Sequence, residues 1–324
     1  MTSTALLRPD VLVLAGGGTV GEAWMHGVLA GLEDAAGVDY TRTEAFVGTS
    51  AGSIVAARLA AGRRPPRPDG DARDAAPGLA EEAAEGTDGD ATHGGLPHAP
   101  LRAARDAAAG AARVGWTVSA PLANALAGAV KPAGALARAA VLGKAAPHGR
   151  PLHQLHGRVA RWDARFDGRL RVCAVDRRTG KRVVFGAPGA PAASVADAVC
   201  ASCAIPWVFA PVEIGGREYV DGGAWSVTNL DAAHSGPGTQ VLCLDPTAGF
   251  GGRDRRMAAL RSAFRLASGL EIAALRRHGA DVEHIAPDLP AASAMGTNFM
   301  APERAAPALA AGFAQGRRLA ALQQ

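Results

Sequence analysis

Apolar residues in the first part of the chain come in short runs broken by glycine, and their period changes at each break. Val11-Leu12-Val13-Leu14 is a continuous aliphatic run, Gly16-Gly17-Gly18 interrupts it, and apolar positions then recur at helical spacing from Ala23 through Val28, Leu29 and Leu32. This pattern predicts a strand, a glycine-rich turn and a helix. The unit repeats at once, with Ala45-Phe46-Val47 as strand, Gly48-Thr49-Ser50-Ala51-Gly52 as turn, and residues 54–61 as a helix stopped by Gly62. Farther along, residues 170–175 and 182–185 read as two strands joined by a polar turn. Residues 212–214 and 218–220 flank Gly215-Gly216 as a hairpin. Residues 240–244 and 282–285 form two more apolar strands, and helical patterns run over 194–204, 255–277 and 302–322. Strands alternating with helices predict an α/β fold: a mostly parallel central sheet flanked by helices on both faces, in three layers.

One stretch breaks the pattern. Residues 63–100 are rich in Ala, Gly, Pro, Asp, Arg and Glu, hold almost no large apolar side chains and show neither period. They predict a flexible insertion within a single domain spanning residues 1–324. Residues 101–150 begin with alanine-rich segments punctuated by Pro121 and Pro132, which predict short helices placed to cap a site.

Composition narrows the function. A hydrophobic share of 48% with 20% charged residues is that of a globular chain with a substantial core, although alanine and glycine supply much of the apolar count. The net charge of +4 is mild, and the arginines are scattered among acids instead of forming a basic run with interleaved aromatics. Nucleic acid is therefore not an expected partner, whereas transient contact with an anionic membrane surface is compatible with this balance. The aliphatic run at 11–15 is too short for a signal or membrane span, so the expectation is a soluble, cytoplasmic protein. Cys173 and Cys243 lie in apolar runs and read as buried free thiols. Cys200 and Cys203 have CxxC spacing, but no second pair completes a metal ligand set, so a structural role is expected and no metal.

The chemistry concentrates in the glycine turns. Gly48-Thr49-Ser50-Ala51-Gly52 is a GxSxG sequence between a strand and a helix, the context in which a sharp turn projects a nucleophilic serine. A plain glycine turn would account for Gly48 and Gly52 without using Ser50. Gly16, Gly17 and Gly18 offer backbone N–H donors for an oxyanion at the end of an adjacent strand. Gly16, Gly18 and Gly21 also satisfy GxGxxG, but a dinucleotide site needs an acid at the end of the second strand, where this chain has Gly48-Thr49-Ser50. No cofactor is expected. The serine needs a base, and none of the nine histidines is spaced as a triad member. His26 falls in the first helix, His93, His98 and His148 in the irregular region, His153 and His156 at a helix start, and His234, His278 and His284 near element ends. Asp221 is the stronger candidate, since a strand delivers it into the turn Asp221-Gly222-Gly223, although an aspartate before glycine also occurs in ordinary hairpin ends.

Four ordered blocks together resemble the patatin-like phospholipase family: Gly16-Gly17-Gly18 to Gly21 followed by His26-Gly27-Val28-Leu29, then Gly48-Thr49-Ser50-Ala51-Gly52-Ser53, Ala201-Ser202-Cys203-Ala204-Ile205-Pro206, and Asp221-Gly222-Gly223. The resemblance covers most of the chain outside residues 63–150. It implies a serine acyl hydrolase of lipid esters, of phospholipase A or lysophospholipase type, that uses a Ser-Asp dyad in place of a triad. Ser50 would be the nucleophile, Asp221 the base, and the amides of Gly16 to Gly18 the oxyanion hole. Other acyl donors, as in a thioesterase or general carboxylesterase, remain open, as does a non-catalytic lipid-binding role on the same fold. The family commonly carries a basic residue in the oxyanion loop, and Val20 stands in that neighbourhood, which predicts altered head-group preference.

Overall fold

A computed structural model describes residues 4–69, 131–143, 150–249 and 255–323. In chain order the elements are α1 (Thr4–Leu7), β1 (Val11–Leu14), α2 (Gly18–Ala36), β2 (Ala45–Thr49), α3 (Ala51–Ala60), α4 (Lys131–Gly143), α5 (His153–Ala160), β3 (Leu170–Asp176), β4 (Arg182–Phe185), α6 (Val195–Cys203), β5 (Val212–Ile214), β6 (Arg217–Asp221), β7 (Gln240–Leu244), α7 (Arg255–Arg277), β8 (Asp281–Ile285), α8 (Leu289–Met295) and α9 (Ala305–Ala321). Most of the insertion and the first part of the expected cap lie outside the described residues. Pro132, expected to break a helix, instead sits in the first turn of α4, where its missing N–H costs nothing.

The strands form one sheet in the order β5-β6-β3-β2-β1-β7-β8, with β4 paired to β3 off that path. The pairings β3–β2, β2–β1, β1–β7 and β7–β8 are parallel, and β4, β6 and β5 add antiparallel ribbons on the β3 side. The mostly parallel sheet expected from strand–helix alternation is thus the one observed. Each central strand is apolar on both faces because both are covered. On one face Leu12, Leu14, Phe46 and Leu242 pack with Val20, Trp24, Val28, Ile54, Val199 and Leu309 of α2, α3, α6 and α9. On the other, Val11, Val13, Val47 and Val241 meet Ile272 and Leu275 of α7, and Leu142 of α4 covers Val175 and Val220.

The contact between α2 and α9 is made by glycines. A Cβ at Gly27 or Gly31 would lie 2.2 Å from the carbonyl oxygen of Leu309 or Phe313, and one at Gly316 would lie 2.2 Å from that of Val28. Glycine at these positions lets the two backbones touch. The side-chain hydrogen bond from Trp24 Nε1 to Gln315 Oε1, 2.9 Å, fixes their register.

Candidate active site

Strand β2 passes into α3 through one residue, Ser50, at φ 51° and ψ −125°. This conformation is strained for a residue with a side chain. Hydrogen bonds hold it in place: Ser50 N–H donates to Ser202 Oγ at 2.8 Å, Ser202 Oγ donates to the Cys173 carbonyl at 2.6 Å, and the Ser50 carbonyl accepts from Ser53 N and Ser53 Oγ at 2.8 and 2.6 Å. Ser202 belongs to the Ala201–Pro206 block quoted above, and its role in pinning the elbow is not visible from sequence. The flanking glycines answer a steric demand. A Cβ at Gly48 would lie 2.5 Å from Ser53 Cα, and one at Gly52 would lie 1.9 Å from the Leu14 carbonyl oxygen. Gly52→Ala is therefore expected to push α3 off β1 and cost about 3 kcal/mol. A thermal melt close to that of the wild type would contradict this packing.

Strand β3 lies between β2 and β6, and its register sets the meeting of Ser50 with Asp221. Thr49 pairs with Cys173 and Asp221 with Ala174, so the residue after Thr49 stands level with Asp221 across one strand. The Ser50 side chain stands close enough to the Asp221 carboxylate to favour its charged form. Gly223 N–H donates to Asp221 Oδ1 at 2.6 Å, and the Asp221 amide donates to the Ala204 carbonyl at 3.0 Å. Gly222 is required by crowding, since a Cβ there would lie 2.2 Å from the Cys173 oxygen. Burial raises the Asp221 pKa to about 6, outweighing the nearby Ser50 hydroxyl and the Gly223 amide, both of which favour its charged form.

The three amides of the glycine loop are not equivalent. Gly16 N–H is engaged by the Val227 carbonyl at 2.9 Å, which removes it from the set of donors expected from sequence. Among the described residues the amides of Gly17 and Gly18 meet no acceptor. Gly18 has φ 58°, and a Cβ on it would lie 2.6 Å from the Phe299 oxygen, so glycine is required there on both counts. Gly17 and Gly21 rest against Pro246. The turn carrying Pro246 is held by Asp245, which accepts from Thr247 N, Thr247 Oγ1 and Ser268 Oγ at 3.0, 2.6 and 3.0 Å. A would-be Cβ of Gly16 is 3.6 Å from Ser50 Cβ, so the loop runs beside the serine. Val20 is fully buried in the core, and its N–H donates to the Phe299 carbonyl at 3.1 Å.

No histidine among the described residues is hydrogen-bonded to Ser50 or Asp221. His26 is buried in α2, where burial, with Arg58 and Arg158 nearby, holds its pKa well below the ordinary value. His156 pairs with Asp197, His284 with Asp245 and His234 with Arg171. His93, His98 and His148 lie outside the described residues. All four cysteines are free and buried, and burial raises Cys173 to about 12. Among the described residues no three His, Cys, Asp or Glu side chains converge as metal ligands would, and no helix is long and apolar enough to cross a membrane.

Comparison with known proteins supplies the family. The chain shows similarity to the structure of VipD from Legionella pneumophila, with 16% identity, coverage of 98% of this chain and 67% of that one, and a TM-score of 0.44, a likeness too low to argue from. No curated protein matches in sequence. The family model described as patatin-like phospholipase matches residues 12–234, a span that takes in the glycine loop, Ser50, Ser202 and Asp221. The chain therefore belongs to the patatin-like phospholipase family, a family of lipid acyl hydrolases.

Proposed function

We propose that the protein hydrolyses lipid acyl esters through a Ser-Asp dyad. The observation that carries this reading is the placement of the Asp221 carboxylate beside Ser50 at a strained strand-to-helix elbow, set by the register of β3 with β2 and β6. Asp221 takes the proton of Ser50 Oγ as that oxygen attacks the ester carbonyl. The carbonyl oxygen gains negative charge beside the Gly17 and Gly18 amides, with the N-termini of α2 and α3 favouring that charge. Collapse of the tetrahedral species breaks the bond to the alcohol, which leaves with the proton held by Asp221. Water then attacks the acyl-enzyme and gives a proton to Asp221; as the Ser50 ester breaks, the acid leaves and Asp221 returns that proton to Ser50 Oγ. A base with a pKa of about 6 is ionised at neutral pH yet holds a proton far better than an ordinary aspartate, which suits both roles.

The test is labelling by a fluorophosphonate, mapped by mass spectrometry, beside hydrolysis of short and long p-nitrophenyl esters and phospholipid vesicles. A single adduct on Ser50 with ester turnover supports the reading; folded protein that neither labels nor turns over any substrate supports the lipid-binding alternative. Because the Val20 side chain faces the core and supplies no cation to the loop, neutral esters are expected to be cleaved at least as fast as phospholipid. A strong phospholipid preference would contradict that expectation.

A further inference from the structure

The segment after Asp221-Gly222-Gly223 is tied to all three parts of the candidate site. The Val227 carbonyl holds Gly16 N–H at 2.9 Å, at the root of the glycine loop. Asn229, in the left-handed region at φ 49°, donates from Nδ2 to Thr49 Oγ1 at 3.0 Å, to the Ser226 carbonyl at 2.5 Å and to the Gly222 carbonyl at 3.4 Å. Thr49 precedes the serine, and Gly222 follows the aspartate. One short loop therefore touches the oxyanion strand, the nucleophile strand and the base strand.

A single carboxylate from a distant helix anchors that loop. Glu271, in the C-terminal half of α7, accepts from Ser226 Oγ at 2.7 Å on one oxygen, and from Thr228 Oγ1 at 2.5 Å and Leu230 N at 2.9 Å on the other. Ser226 Oγ in turn accepts the Asn229 amide at 3.0 Å, so the carboxylate also fixes the residue that reaches Thr49 and Gly222. Ser226, Thr228 and Leu230 are donors on alternate residues of one loop. No other acceptor in the described structure takes all three.

We propose that Glu271 is a positioning residue for the Ser50–Asp221 hydrolase chemistry, acting through the loop of residues 226–230 to hold the glycine loop, the elbow and the Asp221 turn in register. It lies outside the span matched by the family model, so this role belongs to the part of the chain that completes the sheet. The proposal rests on the dyad reading above.

Three groups donate to this carboxylate, and an ionised acceptor holds them more strongly than a neutral one. Glu271→Gln keeps the volume but removes the charge and leaves one oxygen to accept where two did. In the full-length chain, Glu271→Gln is expected to stay folded by circular dichroism and to lose kcat on a short p-nitrophenyl ester by about 10- to 100-fold, since small misplacements of reacting groups cost that much. KM should stay within about two-fold, the signature of lost transition-state alignment without lost binding. The rate of fluorophosphonate labelling at Ser50 should fall in parallel. Thr228→Val removes one donor and should give a smaller loss that does not add to that of Glu271→Gln, which keeps the proposal testable if Glu271→Gln fails to fold. A Glu271→Gln protein that melts earlier but turns over and labels at wild-type rates would overturn the positioning role alone. A wild type that neither turns over nor labels would overturn the dyad reading, and this proposal with it.

Discussion

Asp221→Asn is expected to abolish turnover and, at the same time, to make the folded protein more stable at pH 8. The first effect follows from loss of the proposed base, and a fall in kcat of about 10^3- to 10^4-fold is the scale for removing a proton acceptor from a serine nucleophile. The second follows from linkage. Burial lifts the Asp221 pKa from the ordinary 3.8 to about 6, so the folded state holds the proton more tightly than the unfolded chain does. Stability from this group is fully present below about pH 4 and is lost as pH rises through about 6, by about 3 kcal/mol in total. The amide has nothing to lose over that range. Its melting temperature should exceed that of the wild type at pH 8 and converge with it near pH 4, while wild-type activity should rise across pH 6 as the base ionises. Ser50→Ala should lose at least as much activity, about 10^4-fold or more, without the gain in stability. An active Asp221→Asn protein, or parallel melting curves at all pH values, would remove the case for Asp221.

The second large effect is steric. Gly31→Leu in α2, or Gly316→Leu in α9, is expected to cost about 4 kcal/mol or more, because a Cβ at either site would sit 2.2 Å from a carbonyl oxygen of the other helix. Replacing a mid-helix glycine with leucine would by itself favour the helix by roughly 1 kcal/mol, so the sign of the measured change decides between propensity and packing. Chemical denaturation reads it directly. Activity should fall as well, since the N-terminus of α2 carries Gly17 and Gly18, and a shift of α2 moves them relative to Ser50. A variant as stable and active as the wild type would mean that the helices do not touch along these glycines.

The sequence made the strand–turn–helix units legible because period and glycine punctuation agree there. Both units ending in glycine turns are found, on the adjacent strands β1 and β2. The pairs at β3–β4 and β5–β6, and helix α7, also fall where the pattern puts them. What lay beyond reading were relations between distant residues. That Gly16 gives its amide to Val227, that Ser202 pins the elbow, and that Glu271 anchors a loop about 40 positions earlier are hydrogen bonds set by tertiary packing, with no local signature. Gly27 was legible as part of a block, but its pairing with α9 depends on two helices nearly 300 residues apart meeting in space. Val20 was legible as a departure from the family's pattern; that its side chain turns into the core is a matter of helix phase.

The pairing of α2 with α9 also orders events during synthesis. Helix α2 and the glycine loop are made before β7, which pairs with β1, and α9, which covers Gly27 and Gly31, comes later still. Until residues 240–244 have left the ribosome, β1 lacks a neighbour on one side, and until residues 305–321 follow, the glycine face of α2 has no partner. The loop beside Ser50 therefore gains its full support only after α9 is made, and a nascent chain halted before α9 carries both residues of the proposed dyad without the helix that braces α2.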